Sequence, residues 1–177
     1  MDFNNLVKKR ESCRNFKEQD VDVNLVKEIV TNATNAPSAC NSQPWKFVIC
    51  AGETAKKMPD IIISPNLKIN LWTTKVPAFV VVCETKAKLM SGLDCDSQKY
   101  AAFDLGSATT TLCLSAADKG LSTCIIGVFD DAKLKETLKI PTDTKIRCIV
   151  AIGYGISETP RDKFRKNIDE VISINEW

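Results

Sequence analysis

Apolar residues recur at three- and four-residue spacing between Asp22 and Asn35, at Leu25, Val26, Ile29, Val30 and Ala33. This predicts an amphipathic helix that Asp22 caps and Pro37 ends. Four short apolar, β-branched runs read instead as buried strands, over residues 45–50, 78–83, 123–126 and 146–152, the last closing on a Gly-Tyr-Gly turn. Between the second and third of these runs, a helix from about Asp96 to Lys119 carries Ala101, Ala102, Leu105, Ala108, Leu112 and Ala116. Such residues cover most of its circumference, which makes it central and more apolar than a single subunit of this size covers. Gly120 stands where a left-handed C-cap is favoured, and Asp130 starts a short helix through Leu138 before Pro141. Helices and strands alternate irregularly, which predicts an α+β fold with a sheet flanked by helices.

No repeat, low-complexity tract or linker divides the chain, so residues 1–177 form one domain. A chain of 177 residues buries roughly 70% of the surface its unfolded form exposes and needs no disulfide or structural metal. Its formal net charge of +2 is too small for the footprint of a general nucleic-acid binder, and no aromatic ladder accompanies the lysines. The absence of histidine removes Ser-His-Asp and Cys-His catalysis, zincins and His-ligated haem from consideration. None of the eight cysteines forms a Cys-x-x-Cys pair, and Cys50, Cys83, Cys113, Cys124 and Cys148 sit inside apolar runs as small hydrophobes. Free thiols, no apolar leader and no membrane-length apolar run make a reducing, cytoplasmic setting the expectation.

Two clusters carry candidate chemistry. Arg10-Glu11-Ser12-Cys13-Arg14-Asn15-Phe16 puts two guanidinium groups and a hydroxyl at a helix exit and the extended segment after it, a donor set suited to an anion. The same residues also read as a solvated basic patch. Ala36-Pro37-Ser38-Ala39-Cys40-Asn41-Ser42-Gln43-Pro44-Trp45 is a polar loop fenced by prolines. Its Asn and Gln amides suit the edge of a flat heterocycle, and its prolines leave little ordering entropy to lose, although a plain connecting turn has the same composition.

Together these motifs resemble the opening of the nitroreductase family of FMN-dependent oxidoreductases: Arg-x-Ser-x-Arg-x-Phe, then Ala-Pro-Ser-x-x-Asn-x-Gln-Pro-Trp. The rest agrees in order, with Asp104-Leu105-Gly106 in a long Ala-rich helix, the run from Gly120 to Asp130, Ile149 to Gly155 and a basic tail. The resemblance implies a central, mostly antiparallel sheet flanked by helices, an interwoven homodimer, and a tail of about residues 168–177 that reaches the partner subunit. It assigns Arg10 and Ser12 to the phosphate and ribityl end of FMN and Arg14 to the pyrimidine edge. Pro37, Ser38, Asn41 and Gln43 match a loop that reaches the flavin bound by the other subunit. Asn70 matches a family asparagine at the pyrimidine edge, Ile126 and Gly127 the backbone near flavin N5, and Lys163 and Arg165 a pair that returns to the phosphate.

Glu11 departs from the pattern, a carboxylate beside the expected phosphate that must turn to solvent or pair with Lys8 or Lys9. Cys40 is either a redox participant near the flavin or a small space-filling residue. The implied reaction is ping-pong: NADH or NADPH gives hydride to flavin N5, then a small oxidised acceptor such as a nitroaromatic or quinone takes it, with no catalytic side chain beyond electrostatic support from Arg14. The alternatives are a flavin-binding module without turnover and a related flavin reaction, ene reduction or reductive dehalogenation. No metal, nucleic acid or membrane enters this reading.

Overall fold

The computed structural model describes residues 2–64, 66–88, 97–157 and 159–177. Four strands, β1 (Trp45–Ala51), β2 (Ala78–Glu84), β3 (Ser122–Ile126) and β4 (Lys145–Gly153), pair antiparallel in the order β1-β2-β4-β3. Among the described residues six α-helices surround them: α1 (Phe3–Lys9), α2 (Val23–Ala33), α3 (Glu53–Lys57), α4 (Pro59–Ile62), α5 (Ala101–Asp118) and α6 (Asp131–Leu138). The expected α+β class and antiparallel sheet are what the chain forms.

The two-residue period of a strand sorts the core into two layers. Ala78, Val80 and Val82 of β2, with Cys148, Val150 and Ile152 of β4, face Val26, Ile29 and Ala33 of α2 and Leu105, Leu112 and Ala116 of α5. The alternate residues Phe79, Val81, Cys83, Ile149 and Ala151 face Met58, Ile61, Ile62 and Leu134. Both faces of the central pair β2 and β4 are covered, which is why those runs read as continuously apolar.

The punctuation acts where the sequence placed it. The Asp22 carboxylate accepts from Asn24 N–H at 2.9 Å, and that of Asp130 from Lys133 N–H at 3.0 Å. Gly120 takes φ +79°, and Leu121 N–H closes onto the Ala116 carbonyl at 2.8 Å. The long helix differs from expectation at its start: a 3₁₀ turn over Ser97–Tyr100 precedes Ala101, and the expected first residue, Asp96, lies outside the described residues. Helices α3 and α4, of 5 and 4 residues, had no periodic signal to announce them.

Gly153 ends β4 where the chain leaves no room. A Cβ there would stand 2.8 Å from Pro77 Cδ and 3.0 Å from Phe16 Cδ1, against a proline ring that cannot swing away. Gly153→Ala is expected to cost about 1–3 kcal/mol of unfolding free energy by overpacking, read from the urea midpoint at unchanged slope.

Candidate active site

The first motif is fixed by backbone pairing at the sheet. The segment after α1 lies beside β3, with a parallel bridge between Ser12 and Thr123 and Cys13 N–H donating to the Thr123 carbonyl at 2.9 Å. Past β4 it pairs again, Lys17 N–H to the Tyr154 carbonyl at 2.8 Å and Ile156 N–H to the Asn15 carbonyl at 3.0 Å. Cys13 and Phe16 are buried in the core, while Arg14 is exposed and Arg10 and Ser12 are half-buried. Arg10 lines a cavity of about 380 Å³ with Lys9, Glu11, Thr123 and Tyr154, separate from the one that Arg14 lines. Among the described residues no acceptor meets the guanidinium of Arg10 or Arg14.

Arg14 lines a cavity of about 390 Å³ together with Ile69, Asn70, Trp72 and residues 124–128 of β3 and its exit, Ile126 and Gly127 among them. Three distant stretches of chain thus meet at one place. Asn70 is built for its position: it adopts φ +62°, which asparagine tolerates, and its Nδ2 donates to the carbonyls of Ile62 and Val128, each at 3.2 Å. Trp72 stacks on Phe16 with ring centroids 5.8 Å apart, tying that wall to the first motif. A Cβ on Gly127 would meet nothing within 4 Å, and its φ is not left-handed, so neither packing nor backbone strain within the chain calls for glycine.

The second motif is elsewhere. Pro37 and Ser38 line a separate cavity of about 210 Å³ with Ala39, Tyr100, Phe103 and Asp104, so one chain does not bring the two motifs to a common pocket. Asn41 and Gln43 are exposed and bonded to each other, Gln43 Nε2 donating to Asn41 Oδ1 at 3.0 Å. Cys40, Asn41 and Gln43 all hold positive φ, 55°, 50° and 49°. Such conformations cost of order 1 kcal/mol or more for a non-glycine residue and need an external brace. The brace is Asp104, 3% exposed, whose two carboxylate oxygens accept Ala39 N–H at 3.1 and 3.2 Å, with Ser38 Oγ accepting Gln43 N–H at 3.0 Å. Cys40 is a free thiol exposed on the single chain.

The tail returns to α1. Lys163 Nζ donates to the carbonyl of Arg10 at 2.6 Å, of Val7 at 3.4 Å and to that of Lys8, the C-terminal end of the helix where the backbone dipole favours a cation. Burial, Arg10 and Arg165 together hold the Lys163 ammonium below its ordinary range, so three cations of the expected phosphate set act on one another. Arg165 itself donates to the Phe164 carbonyl at 2.7 Å. Glu11 pairs neither with Lys8 nor with Lys9. Its Oε2 accepts from Arg161, at 3.0 Å from the backbone N and 3.2 Å from Nε, and Arg161 was missed because 150 residues separate the partners.

Burial pushes the Cys50 thiol up to about 12 and the Cys148 thiol to about 11, which leaves both unreactive near neutral pH. Among the described residues no group of His, Cys, Asp and Glu is placed to hold a metal, and no helix is long and apolar enough to cross a membrane.

The α+β fold thus sets a β3-side cavity carrying arginine, asparagine and glycine in a chain whose two termini bring cations together. The chain belongs to the nitroreductase family, whose family model matches residues 7–154. The oxygen-insensitive NADPH nitroreductase of Helicobacter pylori is 26% identical, over 94% of this chain and 93% of that protein. A nitroreductase family protein of Streptococcus pneumoniae shares the fold with a TM-score of 0.81 at 24% identity, covering 98% of this chain and 100% of that one. A solved oxidoreductase containing FMN shares it with a TM-score of 0.75 at 24% identity, covering 89% and 79%.

If Asp104 braces the left-handed loop, Asp104→Ala releases it. Amide exchange at Ala39 and through residues 40–43 is expected to accelerate, with about 1–3 kcal/mol lost from global stability as the Ala39 N–H loses its acceptor.

Proposed function

We propose that the chain is an FMN-dependent oxidoreductase that passes reducing equivalents from NADH or NADPH to a small acceptor such as a nitroaromatic or a quinone in a ping-pong cycle. The observation that carries this reading is the cavity joining Arg14, Asn70, Ile126 and Gly127, with Ser12 paired to β3 next to it.

The residues fit the group. Free guanidinium donors at Arg10 and Arg14, the Ser12 hydroxyl and the Arg165 guanidinium form a donor set suited to a phosphomonoester and an electron-rich ring edge, and the Lys163 ammonium, its own donors taken by the α1 carbonyls, adds positive charge beside them. The missing Cβ of Gly127 leaves room for a planar ring system. When bound, FMN supplies two-electron chemistry at its N5, which is why a chain without histidine can carry the reaction. Arg10, Ser12, Lys163 and Arg165 hold the phosphate end. Asn70, fixed through its Nδ2, presents its amide Oδ1 as the acceptor left for the ring edge. Arg14 contributes a positive charge where negative charge develops, and backbone N–H groups at Ile126 and Gly127 orient the reacting edge. The free thiols among the described cysteines suit a cytoplasmic setting.

In this reading two subunits build each site. Pro37, Ser38, Asn41 and Gln43 belong to the partner's flavin, which accounts for their separate cavity. The outer side of α5 leaves Ala102, Phe103, Gly106 and Thr110 exposed, Phe103 at 77%, and the tail leaves Phe164, Ile168, Val171, Ile172, Ile174 and Trp177 exposed. That much aromatic and aliphatic surface calls for a cover, and a second copy of the chain, with residues 168–177 crossing to it, supplies one.

Protein purified after heat release is expected to yield FMN and no FAD, and Arg14→Ala to weaken FMN binding or slow its reduction by about one to two decades while Lys8→Ala and Lys9→Ala do not. FAD alone, or a protein that takes up no flavin, overturns the assignment. Light scattering is expected to show a dimer for the full chain and a weakened one for a chain ending at Ile168. A flavin-loaded monomer would refute the shared site, and an unchanged truncated dimer would refute the crossing tail.

A further inference from the structure

We propose that Glu11 and Arg161 form a clasp that pre-assembles the split cation cluster, so that Glu11, a carboxylate beside an anion site, raises rather than lowers the affinity of that site for a phosphomonoester. The proposal rests on the reading that this cluster takes the flavin phosphate.

The cluster is assembled from the two ends of the chain, and its halves repel. Arg10 comes from one end of the chain, Arg161, Lys163 and Arg165 from the other, and Lys163 reaches the carbonyls at the end of α1 and the charge of Arg10. Lys163 feels this directly, since Arg10 and Arg165 both disfavour its charge, and Glu11 is the carboxylate that opposes them. Glu11 also supplies the mechanical link. Its Oε2 takes both the backbone N–H and Nε–H of Arg161, at 3.0 and 3.2 Å, while Arg161 NH2 reaches the Ser12 carbonyl at 2.8 Å. These three bonds fix residue 161 against residues 11 and 12. Two residues on, Lys163 meets the α1 carbonyls. Among the described residues the hydrogen bonds beyond it stay within the tail, between Arg165 and Phe164 and among Asn167 to Ile172.

Field and clasp oppose each other in sign. As a bare charge near a phosphate, Glu11 weakens anion binding. As the anchor of Arg161, it removes the ordering cost that each anion would otherwise meet when it draws the tail in. With side-chain exposures of 19% for Glu11 and 63% for Arg161, the pair is half shielded, and a charge-assisted backbone bond adds to it.

The test uses the full chain stripped of flavin, in wild-type form and as Glu11→Gln, Arg161→Gln and the double variant, with folding checked by circular dichroism. FMN affinity is read by quenching of flavin fluorescence, and tail mobility in flavin-free protein by the rate of tryptic cleavage after Lys163 and Arg165. Glu11→Gln is expected to bind FMN roughly three- to tenfold more weakly and to be cut faster, with Arg161→Gln matching it and the double variant adding little. Equal or tighter FMN binding by Glu11→Gln overturns the proposal. Wild-type protein that takes up no FMN overturns the functional reading instead. Cleavage rates still report the clasp in that case, and rates equal in wild type and Glu11→Gln overturn it.

Discussion

Everything at the candidate site hangs on the hydrogen bond from Cys13 N–H to the Thr123 carbonyl, the point where the N-terminal segment joins the free edge of β3. The strand order leaves β3 with β4 on one side only, so its other edge offers unpaired backbone groups. An edge of that kind must be paired, covered or charged. The segment after α1 pairs with it, and Cys13 and Phe16 go into the core, while Arg14 between them stays exposed and Arg10 and Ser12 stay half-buried. Burial of the first set holds the second in place. Cations that solvent would otherwise average over many rotamers are delivered beside the cavity by apolar anchors between them.

The loop of the second motif obeys a different logic, in which strain is stored and then braced. Asparagine enters the left-handed region at modest cost, but Cys40 and Gln43 have no such excuse, and the two prolines alone cannot impose those angles. Asp104 does, from the inner side of α5, with a carboxylate that the helix holds out of water. This links a motif in the loop to a motif in a helix 65 residues away. It also gives the Asp-Leu-Gly sequence a structural meaning: the acid braces, Leu105 packs into the core, and Gly106 keeps the outer side of the helix flat.

How much of this the sequence disclosed follows from the range of each interaction. The strands were legible because Val80 to Val82 and Ile149 to Ile152 are buried on both faces and so form unbroken apolar runs. The capped helices were legible because Asp22 and Asp130 act on residues two or three away. Helices α3 and α4 were not, since one turn shows no period. The cavity that joins Arg14, Asn70 and Gly127 has no local signature, because three segments meet there only once the sheet has formed: Arg14 stood out in its own cluster, while Asn70, Ile126 and Gly127 were named only through the resemblance. Glu11 marks the boundary best. Its oddness was visible in a row of cations, but the nearby lysines were the wrong partners, as they sit on the helix α1 that Lys163 caps, while Arg161 arrives from the far end of the chain.

A site assembled from both termini and, on the proposed reading, from two subunits has a cost that a site on one rigid element avoids: like charges must be brought together before the ligand that neutralises them arrives. This chain meets the cost in three places. The C-terminal carbonyls of α1 take the Lys163 ammonium, so a backbone dipole stands in for a counter-ion. Glu11 takes Arg161 and supplies a full negative charge within the cluster. Pairing with β3 fixes the one element, residues 10–14, that every other part must meet. Placing rigid, partly neutralised cations ahead of a ligand trades some Coulomb attraction for a smaller ordering penalty, and on the proposed reading the two negative charges of a phosphomonoester are what let that exchange favour binding.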